Sequence, residues 1–125
     1  MKSLAAYKRE NKIYLRPMSE SKIAWIGTDP VIVIEKGESA SRKGTGVREA
    51  LGYSQQGVPH PANWRKEVIA PFLKAVGVSS YSKFAKSACC CDVDLEGDQL
   101  RFTPYRNLGP REGYEPIPDR RLFLS

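Results

Sequence analysis

At 125 residues, 41% apolar and 27% charged, the chain has the size and balance of one soluble globular domain able to bury a core, which excludes a disordered tail. No stretch approaches the ~20 consecutive apolar residues of a spanning helix, and Lys8, Arg9 and Glu10 interrupt the apolar start before a signal-peptide core can form, so a cytoplasmic protein is expected. The net charge of +6 points to an anionic partner but is uneven: residues 1–56 hold 10 basic and 6 acidic side chains, residues 57–91 hold 5 and 1, and residues 92–125 hold 5 and 7.

Leu4–Tyr7 and Lys12–Arg16 read as a hairpin about Glu10-Asn11, the second arm being rich in strand formers. Pro17–Ser21 reads as a loop and Ile23–Ile26 as a short strand, ended by the turn cluster Gly27-Thr28-Asp29-Pro30. Val31–Ile34 is apolar on both faces, which predicts a strand covered on both sides or central in its sheet. Gly37–Gly46 reads as a mobile surface loop. Its Lys43-Gly44-Thr45-Gly46 lacks the spacing and the terminal Lys-Ser/Thr of a phosphate-binding loop. Val47, Ala50, Leu51 and Ser54 predict a short amphipathic helix, weakened by Gly52 and ended by Gln55-Gln56-Gly57.

The middle of the chain is helical. Trp64, Val68, Ile69, Phe72, Leu73 and Val76 recur at helical spacing on one face, behind an extended Val58–Pro61 and with Asn63 as N-cap. Pro71 predicts a kink near residues 67–71, or a break after which it restarts a second helix in its first turn. Gly77 suits the residue after a helix, and Ser79 or Ser80 then caps a last short helix with Tyr81, Phe84, Ala85 and Ala88 inward. Cys89–Leu95 and Leu100–Pro104 read as a hairpin about Gly97. Tyr105–Asp119 is too rich in Gly and Pro for a regular element, yet Tyr105, Leu108, Tyr114 and Ile117 would pack it down. Arg120–Leu124 closes as a strand. The expected fold is α+β over residues 1–125: an antiparallel sheet from N- and C-terminal strands, packed against two or three central helices.

Catalytic chemistry is not visible. Cys89, Cys90 and Cys91 are contiguous, so they form no disulfide framework, and with His60 they do not space into a zinc site; they read as small buried hydrophobes. His60 sits between two prolines without a partner. Asp92-Val93-Asp94-Leu95-Glu96-Gly97 opens like a calcium loop, but Thr103 stands where the bidentate Glu belongs, and the alternation fits an acidic strand face. No catalytic residue, metal or cofactor is therefore expected, and the chain reads as a non-enzyme that acts by binding. Lys66, Lys74, Lys83 and Lys86 beside Trp64, Tyr81 and Phe84 keep a second reading open, a small basic nucleic-acid-binding protein that uses the helical middle.

The run Gly57-Val58-Pro59-His60-Pro61, Trp64-Arg65-Lys66, Pro71–Val78 and Tyr81–Lys86, followed by Phe102-Thr103-Pro104 and Arg106–Tyr114, resembles a family of small bacterial immunity proteins of contact-dependent growth inhibition systems. The resemblance covers roughly residues 4 to 124. It implies a cytoplasmic antidote that binds the toxic C-terminal domain of a cognate toxin, often a nuclease, as one partner of a 1:1 complex without membrane or nucleic acid. It carries no binding residue over to this sequence.

Charge supplies the candidate surface. Nuclease sites are usually basic, so the acidic C-terminal third, with Asp92, Asp94, Glu96, Asp98, Glu112, Glu115 and Asp119, is the expected docking face; the alternative is that this basic chain binds an acidic toxin surface away from the catalytic site. Tyr114, Arg106 and Arg111 are the candidate anchors, of the amphipathic and forked types that dominate interfaces; the alternative is that Tyr114 is a core residue pinning the loop and the arginines are solvated.

Overall fold

The computed structural model describes every residue from Met1 to Ser125. Strands β1 (Lys2–Arg9) and β2 (Lys12–Glu20) form a hairpin whose two turn residues, Glu10 and Asn11, both take positive φ, 52° and 67°. That geometry matches the twist of the strands it joins. The second arm runs on through Glu20, where a loop at Pro17–Ser21 was expected. The Pro17 carbonyl accepts the Thr28 amide at 2.8 Å on the outer edge of β2. A strand residue's N and C=O face the same edge, so the nitrogen without a hydrogen lies there too. It falls between β3 (Trp25–Gly27), which pairs Met18–Glu20, and β4 (Ile32–Ile34), which pairs Ile13–Leu15. No ladder bond is lost.

Helix α1 (Ala40–Gly52) replaces the surface loop expected at Gly37–Gly46. Ser39 caps it, its hydroxyl accepting the Arg42 amide at 3.1 Å. Gly46 lies inside the helix because nothing larger fits: a Cβ there would stand 2.9 Å from Ile34 Cδ1 and 3.2 Å from Leu15 Cδ1. Close approach to the sheet overrides the poor helix propensity of glycine.

Pro71 is accommodated by a wider turn. Arg65–Ile69 is π-helical, with the Ala70 amide donating to the Arg65 carbonyl, and runs directly into α2 (Ala70–Val76). The expanded turn absorbs the clash that the proline ring would make with the Glu67 carbonyl. Asn63 caps the entry: its Oδ1 accepts the Lys66 amide at 3.1 Å, and Glu67 Oε2 accepts the Asn63 amide at 2.8 Å. Gly77 ends α2 at φ 72°, and Ser80 caps α3 (Tyr81–Ala85). Trp64, expected on the apolar face, is 44% exposed.

The second hairpin is β5 (Cys89–Glu96) and β6 (Gln99–Asn107), turned at Gly97 with φ 60°. Cys89 is exposed, and Cys90 and Cys91 are half-buried rather than core. The segment expected to be irregular from Tyr105 is shorter: β6 extends to Asn107, and β7 (Tyr114–Pro116) pairs with it. Finally β8 (Leu122–Leu124) pairs Leu100–Phe102.

All eight strands form one antiparallel sheet in the order β3-β2-β1-β5-β6-β7, with β4 also on β2 and β8 also on β6. Helices lie on both faces. On one, Leu4, Leu15, Ile32, Ile34 and Val93 close against Ala50 and Leu51 of α1. On the other, Tyr7, Tyr14 and Val33 close against Phe72 and Val76 of α2 and Phe84 of α3. Phe72 and Phe84 meet edge-on with centroids 5.0 Å apart. Arg16 is buried in this layer. Its Nη2 donates to the Val68 carbonyl at 2.8 Å and its guanidinium lies 4.9 Å over the Phe72 ring, tying the π-helical turn to the sheet. Strand β4 is thus covered on both faces, but lies on the outer edge of β2.

The sheet repeats itself. In the first hairpin Ser3 pairs with Met18; in the second Cys90 pairs with Tyr105, an offset of 87 residues in both strands. The same offset carries Met18–Glu20, the partners of β3, onto Tyr105–Asn107, the partners of β7, and Ile13–Leu15 onto Leu100–Phe102, the partners of β8. The two units meet through β1 and β5, antiparallel, with Ala5 opposite Asp92. They are therefore related by a pseudo-twofold axis through that pair, normal to the sheet. Along these four strands Pro17 and Pro104 are the only shared residue, and each carbonyl accepts the amide that follows the neighbouring short strand, Thr28 at 2.8 Å and Ile117 at 2.9 Å.

Candidate partner-binding surface

The second unit carries every residue expected at the docking face, but β6 separates them into two groups. Its nine residues from Gln99 to Asn107 extend for roughly 27 Å. At one end lie Asp94, Glu96 and Asp98; at the other lie Arg106, Arg111, Glu112, Tyr114 and Glu115; Asp92 lies between them opposite Thr103, and Asp119 stands exposed in the turn Pro118–Arg120.

The hairpin end holds one committed acid and two free ones. Asp94 accepts from Ser3 Oγ at 2.7 Å and from Arg101 Nη2 at 2.9 Å. Glu96 and Asp98 flank Gly97 at the exposed tip. Beside Asp94, Tyr105 donates to Asp92 Oδ2 at 2.6 Å. Burial of Asp92 pushes its carboxyl above the ordinary carboxylate value, against the lowering effect of that hydrogen bond. Asp92 thus belongs to the sheet face more than to the docking rim. With Arg121 Nε donating to Thr103 Oγ1 at 3.2 Å, these groups make a polar face on the side of the sheet that α2 and α3 cover in the first unit. A shallow cleft of about 300 Å³ lined by Asp94, Glu96, Gln99, Arg101 and Phe123 opens there.

The loop end is built on a pinned base. Asn107 Nδ2 donates to the carbonyls of Ala85 and Ala88 at 2.7 and 2.9 Å, so it caps the end of α3. Its Oδ1 accepts the Gly109 amide at 2.8 Å, and Leu108 and Gly113 close the loop through a 2.9 Å backbone bond. Arg111 and Glu112 stand exposed at its tip. Arg106 and Glu115 face each other across β6 and β7 at 3.6 Å, both more than half exposed. Tyr114 is half-buried instead of protruding: its hydroxyl donates to the Ala88 carbonyl at 3.0 Å and its ring sits edge-on to Tyr7. Burial pushes its phenol up. It holds the loop in place and presents only part of its ring. The signal for this base was Asn107, whose side-chain amide suits a helix end, but nothing local in the sequence says which helix it reaches.

Two further surfaces are present, and only the first of them was not expected from the sequence. The opposite face of the second unit is apolar: Leu95, Leu100 and Phe102 pack beside the α1 core, while Leu122 and Leu124 stand 55% and 47% exposed. The other is a groove of about 710 Å³, lined by Trp64, Arg65, Ile69, Leu73 and Tyr81 on the basic helical segment.

Reactive chemistry is not assembled at any of these places. Burial pushes the Cys90 thiol well up, which keeps it protonated and unreactive. His60 Nδ1 lies 3.0 Å from Ser21 Oγ, beside the exposed Trp64. No group of three or more His, Cys, Asp or Glu side chains is placed to hold a metal ion. No helix is long and apolar enough to cross a membrane. What the geometry provides is exposed charge at the two ends of β6 and, on the face opposite Asp94 and Arg101, exposed apolar side chains of β8.

No protein-family model matches the sequence, and no curated protein matches it. Two solved structures share its fold over nearly the whole chain. A protein of unknown function, NMB0488 from Neisseria meningitidis, superposes with a TM-score of 0.78 at 16% identity, covering 99% of this chain and 83% of that one. A chain of a CdiA-CT/CdiI toxin and immunity complex from Yersinia pseudotuberculosis superposes with a TM-score of 0.74 at 12% identity, covering 99% and 86%.

Proposed function

We propose that this chain is a cytoplasmic immunity protein that binds the C-terminal toxin domain of a cognate contact-dependent growth inhibition toxin and neutralises it. The observation that carries the proposal is the full-length fold likeness to a chain of a toxin and immunity complex, joined to a surface that offers recognition and no assembled chemistry. The protein acts as a single α+β domain in a 1:1 complex, without cofactor, and blocks a nuclease by steric occlusion. In this reading Glu96, Asp98, Glu112 and Glu115 steer a basic toxin surface at long range, Arg106, Arg111 and the exposed part of Tyr114 anchor it, and Asp94, held by Ser3 and Arg101, fixes the strands behind them.

Co-expression with the reading frame immediately upstream, one partner tagged, tests it. The expected result is a stoichiometric complex that survives high salt and restores growth to cells carrying the upstream frame. Reversing Glu112 and Glu115 to lysine together should slow association several-fold in a stopped-flow or surface-binding experiment and leave the melting temperature unchanged. Unchanged association would remove the acidic loop from the interface.

A second reading rests on one observation, the exposed Trp64 in a groove on a segment with 5 basic and 1 acidic side chains. Base stacking on an aromatic beside cations is how single-stranded nucleic acid is held. If the upstream product does not bind and the chain instead retains RNA or DNA in a salt-sensitive way, this reading replaces the first.

A further inference from the structure

The pseudo-twofold relation identifies a vacant helix seat. In the first unit α1 lies on one face of β4, β2 and β1, sealed against Leu15, Ile32 and Ile34. The axis is normal to the sheet, so it maps this face onto the same face of the second unit. Leu15 maps onto Phe102, and the short strand β4 maps onto β8. The mapped positions keep their apolar character, yet their exposure is opposite: Ile32 and Ile34 are 9% and 1% exposed, whereas Leu122 and Leu124 are 55% and 47% exposed. Leu95, Leu100 and Phe102 already pack against the core that α1 closes, so the vacant seat is continuous with an interface the protein has built once.

We infer that an amphipathic helix of the toxin partner occupies this seat, lying on β6 and β8 as α1 lies on β2 and β4. The inference rests on the immunity reading above. The first unit also states the chemistry of the occupant. Helix α1 reaches the sheet with Gly46 and Val47 and, one turn on, Ala50 and Leu51, and Gly46 is there because Ile34 and Leu15 leave no room for a Cβ. The partner helix therefore presents Gly or Ala over Phe102 and Leu124, flanked by branched residues at i+1 and i+5. Arg106 and Glu115 share this face at the loop end, beyond the seat, where they pair with each other at 3.6 Å and stay exposed to guide the partner's approach; within the seat selection rests on shape and apolar area.

The test uses the full chain and the purified C-terminal domain encoded by the upstream frame. Leu122→Glu and Leu124→Glu, made together, should weaken binding roughly 30-fold or more, as loss of interface anchors does. Phe123→Ser, on the other face of the same strand, should change it less than about threefold. Because Glu on an edge strand can disturb folding, hydroxyl-radical footprinting of the unmodified chain gives a second readout. Complex formation should protect Leu122 and Leu124 and leave Phe123 reactive. Full-strength binding by the double variant, or unprotected Leu122 and Leu124 in an intact complex, overturns the seat while the immunity reading stands. Equal loss with Phe123→Ser overturns the face-on helix. A self-associated chain that the double variant splits, with toxin binding untouched, overturns it in favour of a second copy. No complex with the unmodified chain defeats the immunity reading itself.

Discussion

The two sheet units share one strand scheme and differ in what they are made to face. At one pair of equivalent positions, Ile34 and Leu124, the chemistry is alike and the cover differs: α1 hides the first and nothing hides the second. At another pair, Tyr14 and Arg101, the cover differs and so does the chemistry, an aromatic under the α2–α3 layer against a cation on an open polar face. The first unit is built to hold together. The second ties its polar face together through Asp94–Arg101 and Tyr105–Asp92, with Arg101 Nε buried and unpartnered, and leaves its apolar face open. An exposed polar face is what an antiparallel sheet ordinarily shows to water. An exposed apolar strand on an edge is a liability unless it is used.

The largest expected break in the comparison is stability against cover. Ile34→Ala should cost about 2–5 kcal/mol in urea unfolding, because it opens a cavity in a sealed core. Leu124→Ala at the equivalent place should cost under about 0.5 kcal/mol. Similar losses would mean that β8 is covered in solution. Next, Gly46→Val should destabilise by about 1–3 kcal/mol through overpacking against Ile34 and Leu15. A neutral result would show that α1 rides higher on the sheet.

Asp92, on the axis, sharpens the comparison through pH. Its folded carboxyl titrates above the ordinary value because of burial. Between the unfolded and folded values the native state binds more protons than the unfolded one, so this group's contribution to stability falls as pH rises through that window. Asp92→Asn should remove that slope and make the difference between variant and parent grow in the variant's favour from acid towards neutral pH. A pH-independent difference would place Asp92 in water. The smallest effect is at the turns. Glu10 and Gly97 are equivalent, with φ 52° and 60°. Glu10→Gly should stabilise by about 0.5–1 kcal/mol, since a side chain in the left-handed region is costly and glycine is not penalised there. Destabilisation would show that the 3.4 Å contact of Glu10 with Arg9 outweighs the backbone cost.

What the sequence discloses depends on the range of the cause. Glu10-Asn11, Asn63, Gly77, Ser80 and Gly97 act on their own neighbours, and each marks the boundary it was expected to mark. The α+β class follows from the same local patterns. Pro17 in a strand and Gly46 in a helix mislead, because what makes them acceptable is a gap between two other strands or a close approach to Ile34. The candidate surface is subject to the same limit. Composition locates acid and arginine in the last third of the chain, but Asp94 is engaged by Arg101 and Tyr114 by Ala88, and a list of charges does not reveal such commitments. The apolar floor of Leu100, Phe102, Leu122 and Leu124 reads in sequence as ordinary core; only the absent cover distinguishes it.

The seam between β1 and β5 joins residues 2–8 to residues 89–95. Each hairpin closes over a two-residue turn and can form within microseconds, whereas the seam must close a loop of nearly ninety residues before it returns any stabilisation. Assembly is therefore ordered in time: two early hairpins and a late join. Until that join, Leu4 and Val93 each sit on an open strand edge, and the chain is at its most adhesive. Ribosomal synthesis at about 5–20 residues per second puts several seconds between the first hairpin and its mate, an interval in which chaperone supply and growth temperature govern how much finished protein a cell obtains.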